Sequence, residues 1–145
     1  AAARGIDAVR AGLAGYLGAK RVAFPRFYFV SDAELLRIVA DAADPRRVQR
    51  HLHKLFDGIH ALEFETAQDG VLQVVAASDR PGAGAERLDF ASADHEAIRA
   101  GSGDVERWLG DVNTASRLSL ARAVDAALEE ATDRRDVSRR RWAAT

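Results

Sequence analysis

The chain has 145 residues, of which 48% are apolar and 30% charged, a composition typical of one globular domain and not of a disordered segment. Its formal net charge of −1 excludes a general attraction to nucleic acid or anionic membranes, and no apolar run approaches the roughly 20 residues that span a bilayer. The absence of cysteine excludes disulfides and thiolate zinc sites, and it fits a reducing compartment.

The N-terminal part of the sequence predicts a helix followed by an aromatic junction. Residues 4–22 are predicted to form an amphipathic helix, because apolar side chains recur at helical spacing at Ile6, Val9, Leu13, Tyr16 and Leu17. Pro25 is expected to end this helix, since the residue before a proline avoids helical geometry. Residues 27–29 are predicted to be extended, and the aromatic run 24–29 is predicted to pack in the core where helices meet.

Capping residues mark two further helix starts. Ser31 with Glu34 forms a capping-box pattern before a predicted helix at 32–42. Asp44 followed by Pro45 predicts the N-cap and the first position of a third helix at 45–61. The predicted core stripe of this third helix consists of Val48, Leu52, Leu55, Phe56 and Ile59.

The second half of the sequence changes to a period of two, which predicts strands at 62–66, 71–76 and 86–90. Asp69-Gly70 indicates a tight turn, and the Gly-rich residues 80–85 are predicted to form a loop. Asp104 is the expected N-cap of a long helix at 104–131. The predicted fold is therefore mainly α, a helical bundle or rod segment with a small antiparallel sheet or hairpin, and without an internal boundary. Because the chain lacks Met and shows helical patterns at both ends, we interpret it as a segment of a longer protein.

Motifs that would carry chemistry are missing from the sequence. No G-x-x-x-x-G-K-[ST], G-x-G-x-x-G or G-x-S-x-G pattern occurs, so no catalytic or cofactor-binding residue is assigned. His53, Asp57 and His60 share one face of the predicted third helix and could offer metal ligands. That face lies opposite the apolar stripe and no fourth ligand is near, so a solvated surface is favoured over a metal site.

The last residues of the chain are basic. Five arginines and one tryptophan lie there: Arg134, Arg135, Arg139, Arg140, Arg141 and Trp142. Arginine binds phosphate and tryptophan stacks on bases, so a nucleic-acid contact is one interpretation. Asp133 and Asp136 interrupt the basic run, however, and a charged helix end is usually a solvated face. No nucleic-acid partner is therefore predicted.

The aromatic junction and its surroundings resemble a signature of the dynein heavy-chain linker. The first block of this signature consists of Lys20-Arg21, Phe24-Pro25-Arg26-Phe27-Tyr28-Phe29 and Glu34-Leu35-Leu36. The similarity continues through Asp44-Pro45 and, in the long helix, Trp108-Leu109, and it covers roughly residues 5–128. The Asp-Pro-x-x-Val-Gln and Leu-Glu-Phe patterns are more similar to axonemal than to cytoplasmic heavy chains.

Several positions depart from the family pattern. Gly18 and Ala19 stand where a Glu commonly precedes the Lys-Arg pair, and Leu55 replaces a frequent Cys. Arg50 replaces a frequent Pro, Ser116 a frequent Met, and the loop at 80–85 is longer than the family's turn. The family has no catalytic group in this region, so these departures affect the expected packing and loop shape only.

The resemblance implies a non-catalytic, mechanical part of a motor. The family's linker is a largely helical rod that lies across a ring of ATPase modules and bends as the ring turns over ATP. The expected partners are therefore the ring, the tail and the rest of the linker in the same heavy chain, with microtubules contacted only through that parent. ATP and Mg²⁺ would bind the parent's ring, not this chain. The expected location is the cytoplasmic cytoskeleton, in the axoneme of a cilium or flagellum.

A function from another class stays open: a stand-alone helical module that binds a partner through exposed apolar surface. Flanking sequence distinguishes the two hypotheses. Continuation on both sides with P-loops following would favour the linker, whereas stop codons at both ends would favour the module.

Overall fold

The computed structural model describes residues 2–82, 84–90, 97–101 and 103–143, with side chains over 5–134 of these ranges. The α-helices are α1 Ala2–Ala23, α2 Asp32–Asp41, α3 Pro45–Val48, α4 Leu52–Leu55 and α5 Val105–Ala143. The strands are β1 Ala61–Thr66, β2 Leu72–Ser78, β3 Arg87–Asp89 and β4 Ile98–Ala100. This confirms the predicted mainly α fold with a small antiparallel sheet.

The aromatic run after α1 is helical, so the prediction of an extended stretch was wrong. Phe24 alone is extended, at φ −135° and ψ 96°, as expected for a residue before proline. Pro25–Phe29 then form a 3₁₀-helix, in which the amide of Phe27 donates to the carbonyl of Phe24 at 3.0 Å. Pro25 favours this start, because the missing N–H lies at a position that has no helical partner.

Both capped helix starts are confirmed, with one difference. The amide of Glu34 donates to the Ser31 hydroxyl, and the amide of Arg46 donates to the Asp44 carboxylate at 3.1 Å. The Glu34 carboxylate does not complete the reciprocal half of a capping box, because it pairs with Lys54 from α4. The second helix thus begins as predicted, and the Glu34 carboxylate forms a tertiary contact with α4.

The third helix is shorter than predicted and is interrupted. A 3₁₀ turn at Gln49–His51 separates α3 from α4, and α4 ends at Leu55 instead of residue 61. Phe56 is extended, and Gly58 has φ +85°, a conformation that favours glycine. Phe56 and Ile59 are still buried as the apolar stripe predicted, but they reach the core from a segment that turns toward the sheet.

β2 is the central strand of the sheet. It pairs with β1 along one edge, and along the other with β3 through Ala76–Ser78 and with β4 through Leu72–Val74, all antiparallel. The amide of Val71 donates to the Asp69 carboxylate at 3.1 Å, and Gly70 has φ +79°, which confirms the predicted turn. β4 was not predicted, since a strand of three residues is too short to carry a periodic signal.

The core lies where the aromatic junction, the short helices and one face of the sheet meet the first turns of α5. Trp108, Leu35, Ile38 and Leu109 are almost completely buried there. Residues 5–16 of α1 and 120–134 of α5 are exposed all round, so both helices leave the core as single helices. α5 is predicted to end at 131 but continues to Ala143. Among the described helices, none has an apolar stretch long enough to cross a bilayer.

Candidate functional site at the junction of α1 and α5

The face that could have offered metal ligands does not form. α4 ends at Leu55, so Asp57 and His60 do not continue a helix face with His53, and all three side chains are exposed. Among the described residues, no three His, Asp or Glu side chains are grouped to hold a metal ion. In the basic end, Arg134 pairs with Glu130, whereas the side chains of residues 135–142 lie outside the described residues.

The aromatic signature divides into a buried and an exposed half. The rings of Phe24 and Phe27 are 4.9 Å apart and nearly perpendicular, and Phe24 also lies 6.0 Å from the ring of Phe56. These edge-to-face contacts anchor the junction in the core. Tyr28 and Phe29 point outward instead, so the prediction that the whole run packs in the core was wrong for these two residues.

Lys20 joins the end of α1 to the start of α5. Its Nζ lies 2.5 Å from Oε1 of Glu106, and the two side chains are only 15% and 16% exposed. Burial lowers the pKa of Lys20, but the hydrogen bond and the charge of Glu106 outweigh burial, so the net pKa is raised. The ammonium is therefore held charged against α5.

Arg21 fixes the 3₁₀-helix onto the end of α1. Its Nε donates to the carbonyl of Phe27 at 3.3 Å, and its Nη2 donates to the carbonyl of Val30 at 3.2 Å. Its Nη1 lies 2.8 Å from Oδ1 of Asp32, at the start of α2. One guanidinium therefore ties α1, the aromatic turn and α2 together, which suits the several donors of an arginine.

Arg26 makes the second connection to α5. Its Nε donates to Oδ1 of Asn113 at 3.1 Å, and its Nη1 donates to the carbonyl of Leu55 at 3.0 Å. Leu55 is the last residue of α4, where carbonyls lack a helical partner. The guanidinium also lies 5.0 Å from the ring centre of Phe56, within cation–π range.

The two partners on α5 lie on one face of that helix. Asn113 follows Glu106 by seven residues, and Leu109 and Val112 between them are fully buried. α5 is therefore held to the junction by two polar contacts, two turns apart, around an apolar seam. This role of Glu106 and Asn113 was not predicted; the only signal in the sequence was two polar residues at heptad spacing beside the apolar Leu109 and Val112.

The remaining signature residues are core residues or lie at helix starts. Leu35 is fully buried, whereas Leu36 is partly exposed. Pro45 is buried at the start of α3 and packs near Gly101, where an added Cβ would lie 3.4 Å from the proline Cγ. The signature therefore consists mainly of core and capping positions, and its basic members Lys20, Arg21 and Arg26 connect the elements.

A buried histidine lies in the break between α3 and α4. Nε2 of His51 is 3.5 Å from Oδ2 of Asp41, the last residue of α2, and forms no hydrogen bond within the described residues. Nε of Arg50 lies 3.7 Å from the same oxygen. Burial lowers the pKa of His51, and Asp41 only partly offsets this effect, so the imidazole is neutral near pH 7.

An open cleft of about 430 Å³ lies between α5, the end of β2 and the segment after α4. Its apolar wall includes Phe56, Ile59, Leu88 and Leu120, and the hydrogen-bonded pair of Arg26 and Asn113 closes one side. The cleft therefore lies next to the Arg26–Asn113 contact and leaves that contact intact.

Comparison with known proteins identifies the family to which the chain belongs. A family model described as "Dynein heavy chain, N-terminal region 2" matches residues 2–127. The chain belongs to the dynein heavy-chain family. It is 38% identical over 138 residues to human "Dynein axonemal heavy chain 6" and 36% identical over 141 residues to "Dynein axonemal heavy chain 2" of Mus musculus. It is 44% identical over 108 residues to "Dynein beta chain, ciliary" of Tripneustes gratilla.

The matches cover most of this chain and little of the relatives. They include 86%, 95% and 74% of the chain, in the same order, but only 3%, 3% and 2% of those relatives. The first block of the signature, from Lys20 to Leu36, lies entirely within the matched residues 2–127. The family resemblance suggested by the sequence is thus confirmed, and it is axonemal and ciliary in kind.

Proposed function

We propose that this chain is a non-catalytic segment of the linker of an axonemal dynein heavy chain, and that it transmits ATP-driven shape changes into movement along microtubules. The chain would act as part of a longer heavy chain in the axoneme of a cilium or flagellum. Its partners would be the ATPase ring, the tail and the rest of the linker. ATP, Mg²⁺ and microtubules would be bound by the parent outside this segment, and nucleic acid and membranes would not be partners.

The observation that carries this proposal is the double connection between the junction and α5. Lys20 contacts Glu106, and Arg26, further along the chain, contacts Asn113, further along α5. The end of α1 and the aromatic turn are therefore held along the first turns of α5, whereas residues 5–16 of α1 and 120–134 of α5 are exposed single helices. A segment with one helix entering and one leaving, tied by buried contacts, is suited to carry force along its length.

The proposal also rests on the pairing of the charged groups at the junction and on the lack of a nucleotide-binding motif in the sequence. The charged groups at the junction pair with one another or with backbone carbonyls, and no phosphate-loop motif occurs in the chain. Paired charges of this type hold helices together, which supports the proposed non-catalytic role.

Charge exchange across the Lys20–Glu106 contact tests the proposal in an intact heavy chain. We expect Lys20→Glu and Glu106→Lys each to slow microtubule gliding more than ATP turnover, because like charges would open the junction. The double exchange restores opposite charges and should recover gliding. Gliding that is unchanged in both single variants would contradict a role of this junction in force transmission.

A further inference from the structure

We propose that Tyr28 and Phe29 form a docking point for an apolar surface elsewhere in the same heavy chain. The inference rests on the proposed place of this chain within a longer heavy chain. Tyr28 is 64% exposed and Phe29 73%, whereas Phe24 and Phe27 of the same run are 3% and 0% exposed. The run therefore anchors itself in the core with two rings and presents the other two outward.

The turn that carries the exposed rings is held in place before any partner binds. The hydrogen bonds from Arg21 to the carbonyls of Phe27 and Val30 bracket Tyr28 and Phe29 on both sides. The Arg21 guanidinium also lies 6.0 Å from the centre of the Tyr28 ring. Aromatic side chains on a fixed backbone lose little conformational entropy on binding, and such anchors dominate the energy of many interfaces.

The size of the patch indicates a tethered partner. Two aromatic side chains bury about 150–250 Å² each, whereas a stable complex between separate proteins buries about 800 Å² per partner. A surface in the same polypeptide needs less contact area, because the tether raises its effective concentration. The chain spans 2–3% of the relatives described above, so heavy chains of this family offer abundant tethered surface.

The charges at the patch define the chemistry of the partner surface. The Arg21 cation is compensated by Asp32 at 2.8 Å, so an anionic partner surface is not favoured. The groups available to a partner are the apolar faces of the two rings and the phenol group of Tyr28. A concave apolar surface with one hydrogen-bond acceptor for the phenol fits this combination.

Site-specific photocrosslinking in the intact heavy chain tests the inference. A benzophenone amino acid is placed at position 29, or at position 65 as a control, since Glu65 is an exposed residue of β1 outside the aromatic run. We expect position 29 to crosslink to residues of the same polypeptide outside 1–145, and Tyr28→Ser to abolish this crosslink. Crosslinks mainly to other chains, or a yield no higher than at position 65, would overturn the inference.

Two measurements separate this failure from failure of the proposed function. An antibody against the chain reports the size of the native polypeptide, and a short product would overturn both proposals. A heavy chain of full size that lacks the crosslink overturns only the docking point. An unchanged pattern of limited proteolysis within residues 1–145 of Tyr28→Ser shows that the segment carrying this substitution is folded.

Discussion

Nζ of Lys20 and Oε1 of Glu106 lie 2.5 Å apart, although 86 positions separate the two residues in the chain. Both side chains are largely buried, so each would be left with an uncompensated charge if the other were removed. We expect Lys20→Met to lower the free energy of unfolding by about 1–3 kcal/mol, between the values for exposed and fully buried pairs. Chemical denaturation measures this loss, and an unchanged midpoint would contradict the contact.

The same contact predicts a loss of stability in alkali. The pKa of Lys20 is raised in the folded state above its ordinary value of 10.5, so its stabilising contribution is complete below that value. The contribution is lost as the pH rises through the folded pKa. Wild type should therefore lose more stability than Lys20→Met when denaturation is compared at neutral pH and above about pH 10.5.

The N-cap at Asp44 is expected to stabilise the start of α3. Its carboxylate accepts a hydrogen bond from the amide of Arg46 at 3.1 Å, so Asp44→Ala should cost about 1 kcal/mol. Asp57→Ala is the matched control, because Asp57 is an exposed aspartate outside any helix. Thermal unfolding should separate the two variants; equal midpoints would mean that the cap does not contribute.

The two halves of the aromatic run should respond differently to truncation. Phe27 is completely buried against Phe24, so Phe27→Ala should cost about 3–5 kcal/mol. Phe29 is 73% exposed, and Phe29→Ala should change stability by less than about 0.5 kcal/mol. Comparable losses in both variants, measured by chemical denaturation, would contradict the division of the run.

The parts of this fold that were predicted correctly depend on local physics. Ser31 and Asp44 cap helices through bonds to amides two or three residues ahead, so their patterns are visible in a short window. The outward position of Phe29 is not visible in such a window. It depends on which rings the core accepts, and Phe24 fills that space by packing against Phe56, a residue far along the chain. An aromatic run alone does not indicate which of its rings face solvent.

The junction itself was predicted only in part. Its residues on α1 were identified through the family signature, but the pairing of Arg26 with Asn113 joins positions far apart in the chain. The break at Gln49–His51 was also missed, since Val48 and Leu52 keep helical spacing across it. His51 lies in this break and is buried next to Asp41 of α2. Such a contact between separate elements is not visible in the local helix propensity.

The buried His51 predicts an acid-sensitive stability. Its pKa is lowered in the folded state, so the unfolded chain binds the proton more tightly and stability falls as the pH decreases below about 6.5. Asp41 and Arg50 face the imidazole, and His53 lies nearby on α4. His51→Gln should lose less stability than wild type between pH 8 and pH 5, with exposed His53→Gln as the control. Equal pH dependence in wild type and His51→Gln would contradict the neutral, buried state.

Trp108 offers a further test of the proposed mechanical role inside an intact heavy chain. Its ring is 1% exposed on the first turns of α5, and its Nε1 has no hydrogen-bond partner within the described residues. Trp108→Ala leaves a large cavity beneath the junction, whereas Trp108→Phe removes the unpaired N–H and keeps most of the packing. We expect Trp108→Ala to slow microtubule gliding more than ATP turnover, and Trp108→Phe to be nearly neutral. Equal losses of both rates in Trp108→Ala would indicate damage to the ATPase modules, and no loss of either would remove Trp108 from the path of force.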